Sequence, residues 1–348
     1  MGIGALVDQT GQAGARRADR RAFLQRAAGL GLALPALGAI VPSLARAESD
    51  HSAGGGHVMA PPASGQAQPH TPYDPYLPAV QPGAKEILVT AKDAVLPISR
   101  SDLFGAWTFD GTVPGKVLRV VEGDAINFTF AIDPDTLTTH SLDFHSAKTN
   151  PGESYRTISP GESLSYTFEA KYPGAFMYHC GTPPILMHLA AGMYGAMIVD
   201  PKEGWSPAQE LVLVQSEYYL MDGENGVKTT DYEKALGFGP ADYVAFNGHA
   251  HQYVDNPIKV RAGEPVRLFV VNAGPNVWSS FHVVGTIFDR VLINGNPKNQ
   301  LFGLQSITIG PGDGAVVEFV LDAPGGYPAV NHAFNAASKG AVALLQAE

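Results

Sequence analysis

One cysteine in 348 residues stands inside a regular set of histidines and methionines: His140, Asp143 and His145 in THSLDFH, His179 beside Cys180, then His188 and Met193 in MHLAAGM. Two imidazoles, a thiolate and a thioether, as His140, Cys180, His188 and Met193 would supply, form the donor set of an electron-transfer copper centre, where soft sulfur favours Cu(I) and a constrained geometry sets the potential. His145 and His179 are left over, and a second, sulfur-free site accounts for them. That site needs a third protein ligand and an open position for substrate, and His332 in NHAF is the best candidate. A sulfur centre paired with an imidazole centre points to a copper redox enzyme rather than a simple electron carrier.

The spacing sorts the donors. Side chains alternate faces along a strand, so in an extended 140–145 segment His140 points opposite to Asp143 and His145, which share a face. His179 and Cys180, being adjacent, must likewise diverge. An isolated histidine is more often a hydrogen-bonded core residue than a ligand, so the inference rests on this reciprocal pattern and not on any one position. Met187, next to His188, reads as apolar packing, and Met193 has the better loop placement for a thioether ligand. His249 and His251 in NGHAHQY also share a face if extended, but no second cysteine or His-x-His lies nearby, and they read as a structural or solvated pair.

The elements that must carry these residues are strands. From Lys85 onward, apolar runs alternate with Gly, Pro, Asn and Asp turns. The expected strands are 87–90, 117–121, 125–132, 163–169, 176–179 and 195–199 in one half, and 211–216, 258–261, 266–272, 280–284, 315–321 and 341–345 in the other. Short helices are expected at 183–191 and 232–236, and 200–208 reads as the junction. The halves echo each other at a period of about 140 residues, too long for a solenoid and suited to duplicated sandwiches. Phe109-Asp110-Gly111 is answered by Phe246-Asn247-Gly248, Val121-Glu122-Gly123-Asp124 by Arg261-Ala262-Gly263-Glu264, and Pro160-Gly161-Glu162 by Pro311-Gly312-Asp313.

Five arginines from Arg16 to Arg26 precede an apolar run ending at Ala45-Arg46-Ala47, and Asp19-Arg20-Arg21-Ala22-Phe23-Leu24 looks like a twin-arginine export motif. Residues 1–47 are therefore expected to be a signal peptide that delivers the product to the periplasm. Residues 48–84, rich in Gly, Pro, Ala, Ser and Gln, read as a flexible leader, 85–200 as a first domain and 201–348 as a second. Without 1–47 the chain keeps 17 basic and 31 acidic residues, a net charge of −14, which argues against nucleic acid as a partner. A lone cysteine in an oxidising compartment cannot form an internal disulfide, and metal ligation gives Cys180 a reason to be there.

On the motifs HSLDFH, YHCGTPPILMHLAAGM, SSFHVVG and NHAF followed by KGA, the chain resembles the copper-containing nitrite reductases over nearly all of residues 85–346. The resemblance implies an all-β fold of two tandem cupredoxin-like Greek-key β-sandwiches, with one type 1 and one type 2 copper per subunit. Carried over residue by residue, it implies type 1 ligands at His140, Cys180, His188 and Met193, and type 2 ligands at His145, His179 and His332. It assigns proton handling to Asp143 and His282, with Val284 lining the substrate pocket where relatives commonly carry Ile. It further implies nitrite as substrate, a periplasmic cupredoxin or cytochrome c as electron donor, and a homotrimer in which His332 is given across a subunit interface. A small multicopper oxidase would need several His-x-His pairs and a histidine on each side of the cysteine, whereas Gly181 follows Cys180. A noncatalytic carrier would leave His145, His332, Asp143 and His282 without a shared task.

Overall fold

The computed structural model describes residues 67–348; the expected signal peptide and residues 48–66 of the expected leader lie outside them. The first half contributes β1 (Lys85–Pro97), β2 (Leu103–Phe109), β3 (Gly115–Val121), β4 (Ala125–Ile132), β5 (Asp143–Phe144), β6 (Ser163–Glu169), β7 (Gly174–His179) and β8 (Tyr194–Asp200). The second contributes β9 (Gln209–Tyr218), β10 (Leu220–Asp222), β11 (Val227–Thr230), β12 (Tyr243–Phe246), β13 (Ile258–Val260), β14 (Pro265–Gly274), β15 (Ser279–Val283), β16 (Phe288–Ile293), β17 (Gln300–Leu304), β18 (Ile307–Ile309), β19 (Gly314–Val320), β20 (Gly325–Asn331) and β21 (Val342–Ala347). Between strands lie the short helices α1 (Pro151–Ser154), α2 (Ile185–Ala190), α3 (Tyr232–Leu236), α4 (Gln252–Asp255) and α5 (Phe334–Ser338).

These strands form the expected all-β architecture of two sandwiches. One pairs the sheet β10-β11-β2-β1-β4-β6 with β3-β8-β7-β5, and the other pairs β12-β9-β14-β19-β16-β17 with β13-β21-β20-β15-β18. The pairing runs alike in both: β1 lies parallel to β4 and β3 to β8, as β9 does to β14 and β13 to β21. Each half also turns tightly at the same place. Asp110-Gly111 has φ of 56° and 83°, and Asn247-Gly248 has 54° and 85°, the two-residue left-handed turn that Asp-Gly and Asn-Gly favour. The hairpin β10–β11 departs from this symmetry, because it leaves the second half to extend the first sheet beside β2.

Burial follows the alternation. In β4, Ile126, Phe128, Phe130 and Ile132 point into a core that also holds Phe109, Phe144, Tyr178, Cys180 and Met193. Strands β8, β9 and β14 are buried on both faces, which explains near-continuous apolar runs such as LVLV and LFVV. Leu211 and Leu213 face the second core, while Val212 and Val214 join Ala196, Ile198, Phe269 and Val271 in a third cluster between the sandwiches.

Three departures from expectation have physical causes. The 140–145 segment is not one strand: only Asp143 and Phe144 pair with β7, and His140 makes an isolated bridge to Ile158. Helix α2 starts at Ile185, two residues later than expected, because a residue that precedes a proline is kept out of the α region, which excludes Pro183 ahead of Pro184, and Pro184 itself sits extended as the cap. Residues 67–84, the described part of the expected flexible leader, lie against the second sandwich through the backbone bonds Val212 N to Pro75 O (2.8 Å) and Leu77 N to Glu210 O (3.2 Å). Helix α3 spans the expected residues, capped by the Asp231 carboxylate on the Lys234 N–H. Among the described residues, no helix is long and apolar enough to cross a membrane.

Candidate metal centres

The sulfur-containing set converges between the two sheets of the first sandwich. His140 precedes β5, held by mutual backbone bonds with Ile158, while Cys180 directly follows β7 and His188 lies in the last turn of α2. The His188 Nδ1 lies 3.3 Å from Cys180 Sγ and 3.1 Å from His140 Nδ1, and the sulfur is 3.9 Å from His140 Nδ1. Met193 is wholly buried in the same core, with its carbonyl accepting from the Cys180 N–H at 3.1 Å and its own N–H bonded to the His188 carbonyl.

Electrostatics makes this cluster a cation site. Burial pulls His140 down to about 3, with His188 adding to the effect, and pulls His188 down to about 4, so both rings are neutral with lone pairs available. Burial pushes the Cys180 thiol up, opposed by hydrogen bonds from Ser141 and Thr182, and the Ser141 N–H reaches the sulfur at 3.4 Å. A thiolate in this dry position needs a positive partner. Two nitrogens and a sulfur crowded at these distances fit a soft, thiolate-preferring ion such as copper.

The second set lies on the rim of the same strand pair. Asp143 is directly opposite His179 in the β5–β7 register. The Nε2 atoms of His145 and His179 face each other at 3.0 Å. Each ring is fixed from behind, since His145 Nδ1 donates to the Gly312 carbonyl at 3.1 Å and His179 Nδ1 to the Cys180 carbonyl at 2.8 Å. A carbonyl only accepts, so both Nδ1 atoms carry their protons and both Nε2 lone pairs point at one spot. Such an arrangement is repulsive unless a cation sits between them. For His179, burial lowers the pKa first, and the neighbouring His145 adds to that against the opposing Cys180 carbonyl and Asp143.

His282 and His332 meet elsewhere on the chain. They lie on and just after the paired strands β15 and β20, with ring centroids 5.7 Å apart, and His282 Nδ1 donates to the Gln305 carbonyl. His332 is exposed and packs edge-on against Phe334, and Val284, which follows β15, is 45% exposed. Among the described residues, the close group of three metal-capable side chains is His140, Cys180 and His188; His332 does not join His145 and His179 within one chain. His249 and His251 do not act together either: His249 is buried and stacked on His70 at 3.9 Å, and His251 caps α4 in a left-handed conformation.

Residue-type reasoning missed the groups that aim the rings. Gly312 and Gln305 contribute through main-chain carbonyls, which leave no mark in a sequence, although Pro311-Gly312-Asp313 stood out as half of a repeated turn. Trp107, tilted over His188 with centroids 4.7 Å apart, is not singled out by the sequence reading.

A family model described as multicopper oxidase matches residues 97–204. The copper-containing nitrite reductase of Neisseria meningitidis serogroup A is 42% identical over 248 residues, 70% of this chain and 64% of that protein. The chain thus spans somewhat under two thirds of that relative's length. The copper-containing nitrite reductase of Cereibacter sphaeroides is 30% identical over 266 residues, 70% of this chain and 71% of its own. Among solved structures, the copper nitrite reductase from Nitrosomonas europaea superposes with a TM-score of 0.71 at 38% identity, covering 76% of this chain and 94% of that one.

Proposed function

The chain belongs to the copper-containing nitrite reductases, and on that footing we propose that it reduces nitrite by one electron, with two protons, to nitric oxide and water. The observation that carries this reading is the pair of Nε2 atoms 3.0 Å apart, their rings locked by carbonyls, one residue away from a buried His-Cys-His cluster. The residues that would hold copper are His140, Cys180, His188 and Met193 as a type 1 set, and His145 and His179 with His332 of a second copy as a type 2 set. Copper bound there supplies a one-electron carrier on the sulfur side and an open position for an anion on the imidazole side.

The protein's own groups do the rest. The peptide unit joining Cys180 to His179 is the short covalent link between the two donor sets. Asp143, opposite His179, is the group placed to pass a proton to a nitrite oxygen. His282, with Nδ1 spent on Gln305, keeps Nε2 free to hold the second proton. Val284, two residues on from His282, is the proposed pocket residue and is one methylene smaller than the isoleucine that relatives commonly carry. Because one electron arrives per nitrite, nitric oxide leaves before deeper reduction.

Within one chain these groups form two half-sites, Asp143 with His145 and His179, and His282 with Val284 and His332. Two copies complete the centre, and a homotrimer with one such junction at each interface is the proposed assembly. The exposed Ile287, Phe302 and Phe334 support it, being large apolar side chains on the half that carries His332. Export by the twin-arginine route, a periplasmic location, tandem domains at 85–200 and 201–348 that arose as a repeat, and a cupredoxin or cytochrome c donor complete the reading. An anaerobic assay of copper-loaded protein with reduced donor and nitrite tests it; no nitric oxide from fully loaded protein would overturn it.

A further inference from the structure

The two metal centres differ in how their imidazoles are aimed. His145 and His179 are each fixed by a hydrogen bond from Nδ1 to a carbonyl. His140 and His188 present Nδ1 to the sulfur instead, and among the described residues no protein acceptor meets their Nε2 atoms. Something else must hold these two rings in plane. Trp107 touches both: its ring is tilted at 39° over His188 with centroids 4.7 Å apart, and stands edge-on to His140 at 5.5 Å.

The same residue also grips the ligand loop by its main chain. Trp107 N–H donates to the Ala191 carbonyl at 3.0 Å, just past α2 and two residues before Met193. Its carbonyl lies so close to Gly192 that a Cβ there would sit 3.0 Å from the oxygen and 2.7 Å from Val113 Cγ2. Strand β2 is itself anchored, Trp107 pairing with Asp93 of β1, and the indole is only 3% exposed. We propose that Trp107 is a positioning residue for the sulfur centre, orienting the His140 and His188 imidazoles with its indole and fixing the His188–Met193 loop with its backbone.

This rests on reading His140, Cys180, His188 and Met193 as copper ligands. A flat indole across two imidazoles restricts rotation about their Cβ–Cγ bonds, and so limits the directions in which both lone pairs can point. It also keeps water from that side of the centre, and low polarity around a thiolate-bound copper favours Cu(I). A leucine in its place would fill part of the volume but neither cover both rings nor resist their rotation.

The test compares copper-loaded Trp107→Leu with the parent and with Phe128→Leu, which thins the same core where Phe128 packs on Phe144 and Tyr166. Visible absorption, midpoint potential, Cu(I) affinity by chelator competition, and melting of the copper-free chains are measured. The expected result for Trp107→Leu is a retained thiolate band with altered relative intensities, a lower potential, and Cu(I) binding weakened about 10- to 100-fold, the usual cost of losing an orienting partner at a metal site. Phe128→Leu should lower melting without moving the spectrum or the potential. If Trp107→Leu does not fold, Trp107→Phe, which keeps one ring, should give the same changes in smaller degree. A parental spectrum, potential and affinity in the folded variant, or the same spectral change in Phe128→Leu, overturns the positioning role. A parent that binds copper without any thiolate band overturns instead the ligand assignment beneath it.

Discussion

His179 and Cys180 are joined by one peptide bond, yet their side chains serve different clusters, His179 Nε2 lying 3.0 Å from His145 and Cys180 Sγ 3.3 Å from His188 Nδ1. The carbonyl of Cys180 closes the relationship by accepting from His179 Nδ1 at 2.8 Å, so the cysteine orients the histidine that precedes it. Strand alternation at the end of β7 produces this divergence.

Asp143→Asn keeps the shape of the β5–β7 pair but removes a proton that the carboxyl can release. Nitrite turnover is expected to fall on the order of a hundredfold or more, the usual contribution of a positioned acid. The visible thiolate band should be unchanged, since Asp143 belongs to the other cluster. Parental turnover in a steady-state assay would remove its assigned role.

His332→Ala tests the division of ligands. The side chain is exposed and packs only on neighbouring rings, so the monomer should fold as before. Metal analysis should show about one copper per chain lost while the coloured centre stays. Full occupancy of both sites would count against this ligand.

Much of this site was legible in advance because ligand chemistry is a property of residue types. Cys and His at these spacings named the His140–Cys180–His188 group and the His145–His179 pair, and strand β6 emerged with its bounds because its residues alternate cleanly between inward and outward faces. What stayed hidden depends on long-range geometry. The carbonyls of Gly312 and Gln305 carry no side-chain signature, and β20, with Gly325, Gly326 and Pro328, lacks the composition of a strand although it pairs on both sides. Residues 67–84 read as a spacer by composition, whereas backbone bonds to β9 give that segment its course.

Gly192 has φ of +115°, and any side chain there meets Val113 and the Trp107 carbonyl. Gly192→Ala should cost about 1–3 kcal/mol, the range for backbone strain at such positions. Denaturant midpoints of the copper-free proteins measure it; equal midpoints would show that the loop adjusts freely.

Glu217 gives the protein a pH dependence away from both clusters. It is 1% exposed, and burial lifts its carboxyl from 4.5 to about 7, against the opposing N–H groups of Asn276 and Val277 and the Tyr219 hydroxyl. Between these values the folded carboxyl keeps a proton that the unfolded chain has released, so this group makes stability fall as pH rises through that window. Glu217→Gln should lose that slope and exceed the parent by about 1–3 kcal/mol at pH values above the window. Identical slopes in pH-dependent denaturation would refute the assignment.

The carbonyl that steadies His145 belongs to Gly312, at the turn entering β19 of the other sandwich. One imidazole of the rim pair therefore takes its bearing from a neighbouring body, and its aim is only as firm as the apolar seam of Ala196, Ile198, Val212, Phe269 and Val271. A substitution that loosened that seam would reach the chemistry as misalignment, without altering a single residue that touches the substrate.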